Sequence, residues 1–390
     1  MPRARLPRFA VAVAIAIAVV SAAALPFAGC SAGDGAPGST DDGGAEATLP
    51  LDAGLADAAP AGCAGDRDPD GMWRHLSCAG LYVDFGAKRV DPALRPYRPA
   101  LELWSDGAAK QRYLLLPPGT TIDTSDIDEW VFPVGTRAWK ELAVDGRRVE
   151  TRLYEKAASG TWRHASFRWL DDGSDAIRTD DGARIARGGP DVPPYQIPTA
   201  NECNDCHSGR KDRLLGVEAV SLGLPGAEGP TLATLVAEGR LSAPPATTML
   251  ALPEDGTGAA ASALGWMHVS CGPCHNRSSA ATAEKSRVYT LVRASQLFAT
   301  DAAPAVASLD AHVSTVGRAS TFEIPDGGGA TFSMIAAGDP RASLVSYLSG
   351  RRVGPTGNPN EKEQMPPIVT RLVDAKGHAL LDAWITALPP

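Results

Sequence analysis

The sequence predicts an α+β multidomain fold: an N-terminal antiparallel β-domain followed by two small α-helical domains. Three observations predict it. Residues 66–198 carry short strand-like runs between turn signals, together with six of the eight Trp in the chain. The pentapeptides Cys203-Asn204-Asp205-Cys206-His207 and Cys271-Gly272-Pro273-Cys274-His275 repeat one C-x-x-C-H pattern. After Thr199 the chain reads as short helices joined by long loops.

The first 29 residues read as a targeting segment. Arg3, Arg5 and Arg8 form a basic start, and residues 9–25 are an apolar run of Ala, Val and Ile. The stretch Phe27-Ala28-Gly29-Cys30 resembles a bacterial lipobox, with Phe27 where Leu is usual. That resemblance implies a lipoprotein-type signal peptide over 1–29 and acylation of Cys30. It places the protein on the periplasmic side of a bacterial membrane, the outer membrane favoured over the inner, with the bilayer as a partner. An ordinary signal peptide or a short uncleaved anchor are the alternatives, since the run is short for a membrane span. Residues 30–65, rich in Gly, Ala, Ser and Asp, read as a disordered tether.

Of seven Cys, four lie in the pentapeptides and one is Cys30. Cys63 and Cys78 remain, and in an oxidising compartment they are expected to form a disulfide. A loop of that length stabilises by about 3 kcal/mol.

The β-domain spans 66–198. Residues 111–116 read as a strand ending at Pro117-Pro118-Gly119. Residues 136–144 and 147–156 read as a hairpin closed by Asp145-Gly146, a pair suited to a type I′ turn. Residues 161–170 give another strand, and a sandwich is the expected arrangement. The Pro-rich stretch 188–199 reads as extended. Helices are expected at 232–239, 263–270 and 380–388. The two helical domains divide at about residue 262, giving 199–262 and 263–390.

Formal net charge is −8, and removal of the three Arg of the leader leaves −11. This balance argues against nucleic acid as a partner.

C-x-x-C-H is the attachment signature for c-type haem. Two thiols three positions apart reach the two vinyl groups of one porphyrin, and the adjacent His offers a nitrogen to the iron. Cys203, Cys206 and His207 would hold one haem, and Cys271, Cys274 and His275 a second. A zinc site built from the two C-x-x-C pairs is the alternative.

The segment Met365-Pro366-Pro367, followed by a helix with Trp384 and Ile385, resembles class I cytochrome c. Gly338-Asp339-Pro340 and Ser343-Leu344 resemble the stretch before the distal Met of such proteins. The resemblance implies cytochrome c-like haem domains, Met365 as sixth ligand of haem 2, and Trp384 packed against Trp266; a buried core Met is the alternative for Met365. The longer interval to Met365 would be a Gly-rich loop at 326–330. For haem 1, Met249 is the best-placed thioether; a core role for Met249 or an open iron position are the alternatives. His75, His164, His312 and Met334 stand alone and read as structural or exposed.

Leu103-Trp104-Ser105-Asp106-Gly107-Ala108-Ala109-Lys110, with Phe132-Pro133-Val134-Gly135-Thr136 and Lys140, resembles the N-terminal domain of a family of exported bacterial di-haem c-type cytochromes. The resemblance covers most of the chain after residue 70. Asp106, Lys110 and Lys140 read more readily as a turn and a salt bridge than as a substrate site.

The function these features imply is electron transfer rather than catalysis: a lipid-anchored carrier of single electrons between redox proteins such as a dehydrogenase, an oxidase or other cytochromes. A di-haem peroxidase is the second reading. It needs an acid/base group over an open iron, and no Glu or His near the first motif stands out for it, Glu202 and Glu218 being near only in sequence. A partner-binding β-module with haem as its redox output is the third.

Overall fold

The computed structural model describes residues 62–189, 192–279, 286–298, 304–321, 332–352, 364–367 and 369–390. The leader, Cys30, nearly all of the tether and the loop at 326–330 lie outside the described residues.

Ten strands are formed among the described residues: β1 (Tyr82–Asp84), β2 (Arg89–Val90), β3 (Arg95–Pro96), β4 (Ala109–Leu115), β5 (Arg137–Val144), β6 (Arg147–Lys156), β7 (Trp162–Trp169), β8 (Ala176–Arg178), β9 (Ala183–Ile185) and β10 (Tyr195–Ile197). Strands β3 to β8 make one six-stranded antiparallel sheet in sequence order. The expected hairpin is present. Asp145 (φ 51°) and Gly146 (φ 77°) both take the positive φ that a type I′ turn needs.

The two faces of the sheet are covered differently. Trp139, Leu153, Ala165, Phe167 and Trp169 alternate onto one face and pack on Met72, Trp73, Leu76 and Leu81. This N-terminal cover is fastened by the Cys63–Cys78 disulfide, as expected. The second face is apolar only at its ends. Leu142, Val144 and Val149 lie under the β9–β10 pair through Tyr195 and Ile197. Leu114 and Ala138 join Ile122, Trp130 and Phe132. Between these ends the face is polar, and the first pentapeptide packs there.

Eight helices follow: α1 (Ala200–His207), α2 (Ala219–Gly223), α3 (Leu232–Ala237), α4 (Ala260–Ser270), α5 (Ala294–Phe298), α6 (Asp310–Thr315), α7 (Leu344–Ser349) and α8 (Ala375–Ala387), again among the described residues. They correct the expected fold class. The sheet dominates the middle of the molecule, and the short helices do not build two α-helical cytochrome c-like domains. The reason is core size. Val217, Val220 and Leu222 in and around α2, and Leu232 and Leu235 of α3, share one apolar cluster with Leu114 and Ala138 of the sheet. A segment of that length cannot bury enough surface alone, so it borrows the sheet. The sandwich expectation is corrected too: one six-stranded sheet is covered by loops and helices rather than by a second sheet of similar size.

The expected packing of the last helix on the helix before the second pentapeptide is present. Helices α4 and α8 pack together around Trp384, Leu264 and Met267, with Trp266 at the edge. Trp266 Nε1 donates to Asp374 Oδ2 at 2.8 Å, and Trp384 Nε1 donates to Asp255 Oδ2 at 2.8 Å. Gly377 is required at the crossing, because a Cβ there would lie 1.8 Å from Trp266 Nε1.

Candidate functional site

Helix α1 opens with a capping box. Thr199 Oγ1 accepts from Glu202 N, and the Glu202 carboxylate accepts from Thr199 N. The helix carries Cys203 and Cys206 one turn apart and ends on His207. It lies against β7. Cys203 is buried beside the Ser166 hydroxyl.

His207 is fixed on two sides. Its Nδ1 lies 2.6 Å from the Arg213 carbonyl oxygen, and its ring stacks on Tyr154 at 4.1 Å between centroids. Tyr154 stacks in turn on His164 at 5.2 Å. A carbonyl can only accept, so Nδ1 carries the proton and Nε2 keeps its lone pair. Burial, opposed by this bond and reinforced by the charges of Lys140 and Arg152, pushes the imidazole down to about 3, so it is neutral. A neutral imidazole with Nδ1 held by a carbonyl is the form that ligates a metal.

The carbonyl is aimed by its own anchors. Arg213 takes a left-handed backbone (φ 60°), and its guanidinium donates to Asn204 Oδ1 inside the pentapeptide at 2.9 Å. Asp212, the residue before it, accepts Lys156 Nζ at 2.8 Å, Trp162 Nε1 at 2.8 Å and Phe132 N at 2.5 Å. Lys156 Nζ also donates to the Phe132 carbonyl at 2.8 Å. The Phe-Pro-Val-Gly-Thr stretch thereby holds the loop that orients His207. The signal for this buttress was an Asp-Arg pair five and six residues after a motif His, which is not distinctive by itself.

The second pentapeptide forms a turn after α4, with His275 N bonded to the Cys271 carbonyl at 2.8 Å. His275 Nδ1 is 3.4 Å from Ser286 Oγ. Burial lowers the imidazole below its usual value, against a hydrogen bond to the Val288 backbone. His268, near the end of α4, is buried, 3.1 Å from Val292 N at Nδ1 and 3.3 Å from Glu218 Oε1 at Nε2. It is committed to packing.

The two pentapeptides touch. A Cβ on Gly209 would lie 1.9 Å from the Pro273 carbonyl oxygen, so only glycine admits the contact. The Cys274 Sγ lies 3.9 Å from the Asp205 carbonyl, and the Cys206 and Cys274 thiols are hydrogen-bond partners. Cys203 instead faces the sheet. Among the described residues no three or more of His, Cys, Asp and Glu are arranged to hold one metal ion together.

Met365 lies on the loop before α8. Its side chain packs with Leu344, Leu348, Met334 and Tyr347 at α7, a cluster that includes no residue of the second pentapeptide. Met249 is 76 % exposed and joins none of the apolar clusters among the described residues. Glu202 is used by the α1 cap, and Glu218 caps α2 while pairing with His268. His75 pairs with Asp66 at 2.6 Å, and His312 lies edge-on to Trp384.

The Trp-Ser-Asp-Gly stretch resolves in part as a turn. Asp106 (φ 53°) and Gly107 (φ 75°) both have positive φ. The buried Asp106 carboxylate accepts from Arg371 N and Leu372 N, and Trp104 Nε1 donates to the Leu372 carbonyl at 2.9 Å. This pair pins the segment that follows Met365. The expected salt bridge of the two Lys is absent: among the described residues neither the Lys110 nor the Lys140 side chain has an ion-pair or hydrogen-bond partner. Burial and the cations of Arg152, Arg112 and Lys110 hold Lys140 well below its usual value.

No family model, no curated protein and no solved structure matches the chain.

Proposed function

We propose that this protein is an exported di-haem c-type cytochrome that carries single electrons between periplasmic or membrane redox partners. The observation that carries the reading is the seam between the pentapeptides, where Cys206 meets Cys274 and Gly209 meets Pro273. Two rings tethered at one seam are close neighbours, and close neighbours exchange electrons.

Each haem supplies a one-electron Fe(III)/Fe(II) couple. The chain's part is to hold, orient and bury. Cys203, Cys206, Cys271 and Cys274 provide the thioether sulfurs, and His207 and His275 the proximal nitrogens. The Arg213 carbonyl sets the tautomer of His207 and keeps its ring from turning. Met365 is the proposed sixth ligand of the second iron. The Cys63–Cys78 disulfide favours an oxidising compartment, consistent with export and with a lipid on Cys30.

Electron transfer is preferred to peroxidase chemistry on a specific ground. Glu202 and Glu218, the two glutamates nearest the first pentapeptide in sequence, are both engaged in helix capping.

The test is the reduced-minus-oxidised spectrum of the full chain, matured in a host that assembles cytochromes c, with and without carbon monoxide. Two c-type haems and no change with carbon monoxide are expected. A haem that binds carbon monoxide in the wild-type protein would move the reading to an enzyme. Met365→Ala should open one iron to carbon monoxide; an unchanged response removes Met365 as a ligand.

A further inference from the structure

Four residues stand in one row across the second face of the sheet. Arg112 on β4 is paired in register with Lys140 on β5, Lys140 with Arg152 on β6, and Arg152 with Ser166 on β7. Lys110 lies diagonally next to Lys140, two residues from Arg112 on the same face. The row ends at the first pentapeptide, where Ser166 lies beside the Cys203 thiol.

Like charges directly opposite one another on neighbouring strands are destabilising. Here three cations follow in sequence on neighbouring strands; Arg112 and Ser166 are buried, and Lys140 and Arg152 are half-buried. The outer two are answered: Arg112 by Glu102 at 2.9 Å, and Arg152 by a two-pronged pair with Glu150 at 2.6 and 2.9 Å. Glu150 is saturated by Arg152 and the Tyr195 hydroxyl. The central Lys140 and the adjacent Lys110 have no partner among the described residues. Apolar clusters close the face on both sides of the row, at Leu142 with Tyr195 and at Leu114 with Phe132. A cationic row of this kind, between two apolar shores, is built for an anion with an apolar body.

We propose that Lys140 and Lys110 are the counter-ions of the carboxylates of the haem held by Cys203, Cys206 and His207. The inference rests on the reading of that pentapeptide as a haem site. The porphyrin's two propionates stand on the edge away from its two vinyl groups. Neighbouring strands are about 4.8 Å apart, so Lys140 stands about 10 Å across the row from Ser166. That span is comparable with the width of a porphyrin. A ring tethered at Cys203 and Cys206 and laid along the row brings its carboxylates to Lys140, with Lys110 alongside. Lys140 and Arg152 are also among the charges felt by the His207 ring, which places the row next to the proximal ligand. Lys110 and Lys140 thereby acquire a role that neither the turn at Asp106 nor any salt bridge gives them.

The experiment uses the full chain, haem-loaded, as wild type, Lys140→Gln and Lys140→Arg. The mass of each counts the haems, and a spectroelectrochemical titration gives both couples. Removing a positive charge beside the ring favours Fe(III). Lys140→Gln is therefore expected to lower one of the two potentials, leave the other in place, and be rescued by Lys140→Arg. Loss of one haem in Lys140→Gln alone, with both kept in Lys140→Arg, supports the same assignment. Two haems with both potentials unchanged in Lys140→Gln overturn it. So does a shift of the wild-type spectrum on adding inorganic phosphate that is lost in Lys140→Gln, because the row would then serve a free anion. Wild-type protein with no haem overturns the reading of the pentapeptide itself, and the mass separates that result from the others.

Discussion

Arg213 turns its carbonyl oxygen to 2.6 Å from Nδ1 of His207. The bond requires a left-handed residue, and the fold holds Arg213 there through Asn204 on one side and Asp212 on the other. Asp212 is the fixed point, since it joins Lys156, Trp162 and the Phe132 amide in the interior.

Removing that fixed point leaves a buried ammonium without its partner. Lys156 and Asp212 side chains are 7 % and 10 % exposed. Asp212→Ala is expected to cost about 3–5 kcal/mol in urea unfolding, the range for breaking a buried pair. The exposed pair Arg98–Glu228 sets the contrast. Arg98→Ala is expected to cost far less, because solvent screens an exposed pair. Equal losses for the two would show that the Lys156–Asp212 pair is not the anchor.

The N-terminal cover of the sheet depends on its covalent clasp. A Cys63→Ser, Cys78→Ser double variant is expected to lose about 3 kcal/mol of stability. Thermal unfolding with and without reductant checks this. A wild-type midpoint that ignores reductant would mean the cover holds by packing alone.

At the crossing of α4 and α8 there is no room for a methyl group. Gly377→Ala places a Cβ against Trp266 and is expected to cost about 1–3 kcal/mol by overpacking. Gly86→Ala serves as the control, because its new Cβ meets only Asp84 Oδ1 at 3.6 Å. A neutral Gly377→Ala would place α8 elsewhere.

Acid should loosen the link between α2 and α4. Burial alone would raise the Glu218 carboxyl, but His268 and Ser221 outweigh it and hold Glu218 down at about 2. A carboxyl depressed in the folded state contributes stability above its unfolded value, near 4.3, and that contribution is lost as pH falls towards 2. Wild-type stability is therefore expected to drop between about pH 4.3 and 2. Glu218→Gln should be less stable at neutral pH and should flatten that part of the profile. A variant with the wild-type profile would exclude Glu218 as the titrating group.

Local signals in the sequence were accurate where the chemistry is local. Asp145-Gly146 marks the hairpin, and the odd pair Cys63 and Cys78 marks the clasp. The fold class misled for a physical reason. Whether Val220 and Leu232 fill a helical domain or the end of a sheet depends on distant residues such as Leu114, which no window sees. The environment of β6 is equally invisible to a local window. Thr151 and Leu153 face one core, but Glu150, Arg152 and Tyr154 face the first pentapeptide rather than water. Charged residues alternating with apolar ones on a strand ordinarily mark a solvent face. In this protein they line the site.

The central claim is that each pentapeptide carries a covalently bound haem. The most direct measurement is the intact mass of the full chain matured with the cytochrome c assembly machinery, taken beside its absorption spectrum. The account predicts red protein heavier than the polypeptide by two haems, falling to one in a Cys203→Ala, Cys206→Ala variant. Colourless protein at the bare polypeptide mass would contradict it.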